Sequence, residues 1–428
     1  MKIEKIKGFR DHYPEDMEVR NYFFKKITNA AENFGYQLID FPSLEPLDLY
    51  RLKSGTELVN QTFSFTDKGG REVTMIPEAT PSTVRLLTAR KDLPRPVRWY
   101  SFPKVWRYEE PQEGRFREHY QFNADMFGLD SEESDAEIVG LASSILDYLG
   151  LSGVYEININ DRFLMEYILK DLGIENIPDA FSIIDKYKKI DRNSFIEAFR
   201  GIGAEGDEIK KILSLLNEKV DTGNLERKVK KVVKNYEEIK PRIERIKKTF
   251  DLIGLYTESP INYDFSIVRG LSYYTGMVFE AFDVKGELRA ILGGGRYDDL
   301  SKLFTTDRIP AVGFAIGDAV IELLLKRQNL WMKRNIKKSY YICNLSSVDE
   351  DYIIKIASRI RSLNKIAIVD MTHRKISSQM KSASGFDFAI IIGEREFEEN
   401  TLTVKNMKTS QQSIMGYDDF LLQLRGDD

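Results

Sequence analysis

Residues Val105 to Gly128 read VWRYEEPQEGRFREHYQFNADMFG. Two β-type runs flank a polar loop, and side chains along a strand point alternately to its two faces. On the first run Val105, Arg107 and Glu109 share one face, with Trp106 and Tyr108 on the other. On the return run Gln121, Asn123 and Asp125 share a face opposite Phe122, Ala124 and Met126. The polar faces of the two strands can converge on one pocket, and the loop between them supplies Gly114, Arg115 and Arg117. Taken alone, such a hairpin also suits a half-exposed position with its polar face in water.

Working outward, Met17 to Phe34 carries Val19, Phe23, Ile27, Ala30, Ala31 and Phe34 at helical spacing. Pro14, Glu15 and Asp16 suit its first turn and Gly35 its end. A strand follows over Tyr36 to Asp40, stopped by Pro42. Further on, IVRGLSYYTGMVFEAF (Ile267 to Phe282) puts one arginine, a turn glycine and two tyrosines before a β-type run. ILGGGRYDDL (Ile291 to Leu300) places three glycines at the end of a strand, where backbone can approach a ligand closely. Asp298 stands where a GxGxxG fingerprint needs its last glycine, and no Walker A sequence appears. PAVGFAIGDAVIELLL (Pro310 to Leu325) reads as a strand leading into a helix, and MIPEATPSTVRLL (Met75 to Leu87) as a turn entering one.

The 428 residues allow roughly three domains. Hydrophobic residues at 42% and charged residues at 30% suit globular units with their own cores. A net charge of −4 does not advertise a nucleic-acid binder as a whole, though a local basic face could still serve. Cys343 is the single cysteine, so no intrachain disulfide can form and a reducing cytoplasm is the expected setting. His12, His119 and His373 are scattered, so no structural metal site is readable. The charged opening MKIEKIKGFRD lacks the apolar core of a secretory signal, and no run approaches a membrane span.

Several of these stretches, in the same order, resemble the histidyl-tRNA synthetases, class II aminoacyl-tRNA synthetases, of archaeal type. Val105–Gly128 resembles motif 2, Pro310–Leu325 motif 3, and Ile267–Phe282 the signature that recognises histidine and its adenylate. The helix, strand and proline from Met17 to Pro42 resemble motif 1, the dimer element. The resemblance implies an α+β chain: a class II synthetase-like antiparallel sheet flanked by helices, a helical insertion and a C-terminal α/β domain. The expected division is 1–160 and 263–330 for the two parts of the catalytic core, 161–262 for the insertion, and 331–428 for an anticodon-binding domain with a largely parallel sheet.

It also implies roles. Arg107 would hold the α-phosphate of ATP, with Glu109 on the adenine and ribose side and Arg115 and Gly317 nearby. A guanidinium pairs with phosphate bidentately and keeps its charge when desolvated. Arg269 would meet the α-phosphate and the substrate carboxylate, and Glu78 the amino group. Gln121, Asp125, Tyr273 and Tyr274 would line the imidazole pocket, where paired polar groups can reject apolar competitors. The implied ligands are ATP with Mg2+, histidine and tRNA(His), the implied assembly a homodimer through motif 1, and no membrane is involved.

Two positions depart from the family pattern. Motif 3 commonly has Leu-Glu-Arg after its second glycine, but Asp318, Ala319 and Val320 follow Gly317 here. The arginine that faces ATP is therefore missing: either a nearby cation, Arg289 or Arg296, replaces it, or the chain belongs to a subgroup with a different ATP grip, with a catalytically weakened relative as the third and less favoured reading. Ser272 stands where many members have an aspartate. The basic run Glu226 to Lys248 reads as a solvated helix face, with contact to the tRNA acceptor arm as the alternative. The rival reading for the whole chain is a non-catalytic, histidine-sensing regulatory subunit of ATP phosphoribosyltransferase on the same fold. Glu78, Arg107, Arg269 and the segment after Trp331 count against it.

Overall fold

A computed structural model describes residues 3–51, 59–269, 273–332, 337–345, 348–372 and 374–426, and leaves Ser272 and His373 outside. The first helix, α1 (Pro14–Asn33), buries Val19, Phe23, Ile27, Ala30 and Ala31 and ends at Gly35, whose φ of +77° suits a residue without a Cβ. It leads into β1 (Gln37–Leu38), a shorter strand than its apolar pattern predicts. Next come β2 (Val97–Ser101), β3 (Lys104–Trp106) and β4 (Glu118–Phe127), then helix α2 (Glu132–Tyr148). The sheet is completed by β5 (Tyr155–Asp161), β6 (Ile261–Tyr263), β7 (Met277–Asp283), β8 (Leu292–Arg296) and β9 (Ala311–Gly317), after which α3 (Asp318–Arg327) begins.

These nine strands form one sheet in the order β1-β2-β4-β9-β8-β7-β5-β6, with β3 also on β4. Only the edge pairs β1–β2 and β5–β6 are parallel. The ten-residue β4 is its spine. One edge pairs with β9 from Gln121 to Phe127, and the other holds both β2 and β3. The expected hairpin is thus three strand segments, because the chain breaks pairing between Ser101 and Lys104. Arg107 and Glu109 lie beyond β3, in the loop rather than on a strand.

Phe122, Ala124 and Met126 enter a core shared with α1, α2 and β9. The three glycines, expected at a strand end, are the centre of β8. The reason is steric. A Cβ on Gly294 would strike the Gly313 carbonyl oxygen and Phe314, and one on Gly295 would lie 2.9 Å from the Tyr274 ring.

Between β5 and β6 the chain runs through helices Arg162–Asp171, Ile177–Asp185, Arg192–Gly201, Gly206–Leu216, Thr222–Lys230 and Tyr236–Ile253. Much of the basic run is neutralised within the protein. Lys230 and Lys247 pair with Glu226, Lys248 with Glu132 and Glu133, and Arg242 with Asp161. This segment also grips the loop after β6. Its Lys188 pairs with Asp264 at 3.0 Å, while Asn160 of β5 donates to the carbonyls of Phe265 and Ile267.

The chain divides into two compact units, residues 1–332 and 333–428. The second has β10 (Ser339–Asn344), β11 (Ile366–Val369), β12 (Phe388–Ile392), β13 (Thr401–Asn406) and β14 (Gln412–Gly416) in the order β11-β10-β12-β13-β14. The first three are parallel, as the pattern predicts. The sheet is mixed rather than largely parallel, because β13 and β14 add an antiparallel hairpin. Among the described residues no helix is long and apolar enough to cross a membrane.

Candidate active site

The polar row on β4 opens into a cavity of about 250 Å³. Its walls include Glu78, Arg107, Glu109, Arg115, Gln121, Asp125, Arg269, Tyr273, Tyr274 and Gly317, so the structure brings together all the residues given a role by the resemblance, though not Arg296, one of the two expected replacements. They arrive from distant parts of the chain. Glu78 is 3% exposed, two residues before helix Thr80–Thr88, and accepts a hydrogen bond from Tyr273 Oη at 3.3 Å. Arg107 donates to the Pro77 carbonyl at 2.8 Å, which ties the motif 2 loop to the turn carrying Glu78.

Asp125 lies opposite Gly313 of β9, and its carboxylate fills the space that any side chain at Gly313 would need. It accepts a hydrogen bond from the Tyr297 phenol, whose pKa burial and the Asp125 charge push well above its ordinary value. Gln121 donates to Asn123 at 2.9 Å on the same face. Tyr273 and Tyr274 lie 4.7 Å apart by ring centroids, and Tyr297 meets Tyr273 edge-on at 5.8 Å. Tyr297 belongs to this wall, although the sequence reading passes over it within ILGGGRYDDL.

Arg269 has a φ of +58°, a left-handed conformation uncommon for a residue with a side chain. Its guanidinium lies in the space left by Gly293 and pairs with Glu280 at 2.7 Å. Arg115 is paired bidentately with Glu109. Burial works to raise the Glu109 pKa, but the Arg115 hydrogen bond and the Arg107 charge hold it below the ordinary value.

His119 is a further cavity residue that its scattered position in the sequence hides. It shares the face of Gln121 and Asp125 and stands 3.7 Å from the point a Cβ would occupy on Gly317. Its Nδ1 is buried and has no hydrogen-bond partner among the described residues. Burial, helped by the Arg107 charge, lowers its pKa to about 4, so the ring is neutral near pH 7.

At the start of α3, Asp318 points away from this chemistry. It is paired with Arg10 at 2.9 Å and with the buried Arg20, while Glu322 pairs with both arginines. Val320 lines the cavity where the resemblance would place an arginine. Of the two expected replacements, Arg289 lines the cavity and Arg296 does not. Arg296 is 2% exposed and bound by Asp135 at 2.6 Å, Asp298 at 3.1 Å, Ser134 and the Leu129 carbonyl. Four acceptors fix it inside the fold, so the expectation that it meets ATP is corrected.

Residues 8–319 match the histidyl-tRNA synthetase family model, and residues 339–426 match the anticodon binding domain model. The chain belongs to the histidyl-tRNA synthetase family. It is 59% identical to the histidine–tRNA ligase of Picrophilus torridus, over 98% of this chain and 99% of that one. It is 52% identical to that of Thermoplasma volcanium, over 98% of each. Both relatives are archaeal, as the sequence reading expects. The fold is similar to the crystal structure of histidyl-tRNA synthetase from a Nostoc species, with a TM-score of 0.84, 21% identity and coverage of 100% and 99% of the two chains.

Two outcomes test this geometry. Arg296→Ala leaves Asp135 as a buried carboxylate without its close partner, whereas Asp298 keeps Arg308 at 2.8 Å, and removing one partner of a buried pair costs about 3–5 kcal/mol. Denaturant titration should show a loss of that size, and a loss below about 1 kcal/mol would contradict the structural role. The second concerns His119, whose folded pKa of about 4 lies below its ordinary 6.5. The unfolded chain takes up this proton first, so stability is complete above pH 6.5 and falls towards pH 4, by up to about 1.4 kcal/mol per pH unit. His119→Gln should flatten that part of the stability–pH curve. Parallel curves for variant and wild type would show that the ring is not held neutral.

Proposed function

We infer that the cavity is where histidine and ATP react. The chain is a histidine–tRNA ligase, an enzyme that uses ATP. The observation that carries the residue roles is the convergence of Arg107 and Arg269 on the polar row of β4. In this reading a histidine carboxylate oxygen attacks the α-phosphorus, the new P–O bond forms as the bond to pyrophosphate breaks, and charge builds on the α-phosphate. Arg107 and Arg269 approach it from two loops and stabilise that charge from fixed positions. Glu78 accepts the ammonium group. Asp125, Gln121, Tyr273 and Tyr274 meet the imidazole, and the Tyr297 hydrogen bond orients Asp125. Glu109, Arg115 and Gly317 contact ATP, with His119 beside Gly317 on the adenosine side. The second half-reaction moves the histidyl group from the adenylate to the terminal ribose of tRNA(His).

Arg269 and Arg115 each hold a carboxylate partner, Glu280 and Glu109. Anionic substrate groups would take over those guanidiniums. The two carboxylates then fit the donor set of Mg2+, which favours one or two carboxylates together with phosphate oxygens. When bound with ATP, the ion supplies charge neutralisation of the phosphates.

The reading extends to the whole chain. Residues 1–160 and 263–330 form the catalytic core, 161–262 an insertion, and 331–428 the unit that reads the anticodon, in a cytoplasmic enzyme. A homodimer forms through motif 1, a reading supported by Leu38 and Leu44, which are 64% and 41% exposed beside it. The histidine-sensing alternative is disfavoured because Glu78, Arg107 and Arg269 all face the cavity and residues 339–426 match the anticodon binding model.

ATP–pyrophosphate exchange with each of the twenty amino acids tests the pocket. Histidine alone should support it, and Arg269→Ala should slow it by ~10²–10³-fold. Tight histidine binding without exchange would move the chain to the sensor class, and exchange with another amino acid would refute the pocket assignment. For assembly, sedimentation equilibrium should give twice the chain mass, and Leu38→Asp should raise the monomer fraction. A wild-type monomer at micromolar concentration would remove the dimer.

A further inference from the structure

The cavity has four arginines in its wall, and three are engaged. Arg107 donates to the Pro77 carbonyl, Arg115 is held by Glu109, and Arg269 is held by Glu280. Arg289, in the loop between β7 and β8, is the exception. Among the described residues it makes no hydrogen bond and no ion pair, yet it lines the same cavity beside Arg107, Glu109 and Arg115. The first turn of α3 offers the cavity Ala319 and Val320, neither of which carries charge. Asp318, next to them, is consumed by Arg10 and Arg20.

We propose that Arg289 binds the β- and γ-phosphates of ATP, and hence the departing pyrophosphate, in place of the arginine that motif 3 lacks. The proposal rests on the reading of the cavity as the ATP site. Arg107, Arg115 and Arg289 lie around Glu109, which is already bonded to Arg115, while the nearby Glu280 is committed to Arg269. Arg289 is thus the guanidinium of the four left without a bonded partner among the described residues, and an incoming anion meets its charge directly. Partial desolvation of the guanidinium, then repulsion from Arg115 and Arg107, lower the Arg289 pKa against the opposing pull of Glu109 and Glu280. A polyphosphate tail supplies the missing charge, and a guanidinium takes up phosphate oxygens in pairs. Histidine is the less suitable anion for Arg289. The row from Gln121 to Asp125 that would seat it is buried, whereas Arg289 is exposed at the rim.

Because Arg289 is exposed and unpaired, its replacement should leave the fold intact, which thermal unfolding checks. Calorimetry on the full chain can then compare ATP, pyrophosphate, AMP and histidine. Arg289→Ala should weaken ATP and pyrophosphate by ~10- to 100-fold, the range for a hydrogen bond to a charged group. AMP and histidine should bind as in wild type, and Arg289→Lys should recover most of the ATP affinity. The exchange assay should show the same split, with a raised KM for ATP and an unchanged KM for histidine. Unaltered ATP binding by Arg289→Ala would overturn the proposal. So would an equal loss for ATP and AMP, which would place Arg289 on the nucleoside or make it structural. A wild-type chain that binds AMP and histidine but not ATP would also overturn it. A wild-type chain that binds none of the four would remove the reading of the cavity itself.

Discussion

The register of β4 against β9 governs the cavity. Asp125 faces Gly313 and Gln121 faces Gly317, so two polar side chains stand across from two residues that have none. A slip of one position would turn Phe122 and Ala124 into the cavity and bury the carboxylate in the core, because strand side chains have a period of two. Packing from α1 and α2 on the apolar face fixes the choice. Tyr297 then reinforces it from β8's end, since its phenol reaches Asp125 only in this register.

Charge in the cavity is arranged as provisional pairs. Arg269 with Glu280 and Arg115 with Glu109 satisfy one another at modest exposure. Buried ions need partners, and this arrangement keeps both signs compensated in the free protein. It also means that ligand binding exchanges partners rather than creating a charge in an apolar site. The N-terminal segment contributes from outside. Arg10 stacks over Phe116 at 4.1 Å, and the Arg117 amide donates to the Gly8 carbonyl, so the loop carrying Arg115 is braced by residues a hundred positions away.

Features set by local periodicity were legible in the sequence. The spacing in α1, the alternation in β4 and the helix after Gly317 each depend on neighbours in the chain, and each is found with small shifts of boundary. Matching stretches to a family pattern brought Glu78, Arg107, Arg269 and the tyrosines to one place. What was not legible depends on strand order. Whether Arg296 faces the cavity is decided by what lies beside β8, and only the fold brings the distant Asp135 to Arg296. His119 is legible only once β4 is known to continue its polar face past Gln121. The β13–β14 hairpin lacked a strong apolar alternation, since β14 is largely exposed.

The glycines of β8 and β9 have a consequence for how this pocket can change over evolutionary time. Gly293 leaves room for the Arg269 guanidinium and Gly313 for the Asp125 carboxylate, while Gly294 lies against the neighbouring backbone. The floor is therefore main chain, and no substitution there can reshape it without displacing a wall residue or parting two strands. A descendant enzyme with a new amino-acid preference would have to be reached through the walls, at positions such as Gln121, Tyr273 or Tyr297. The accessible mutational routes are few, and a lineage that once fixed this floor would be held close to its original substrate.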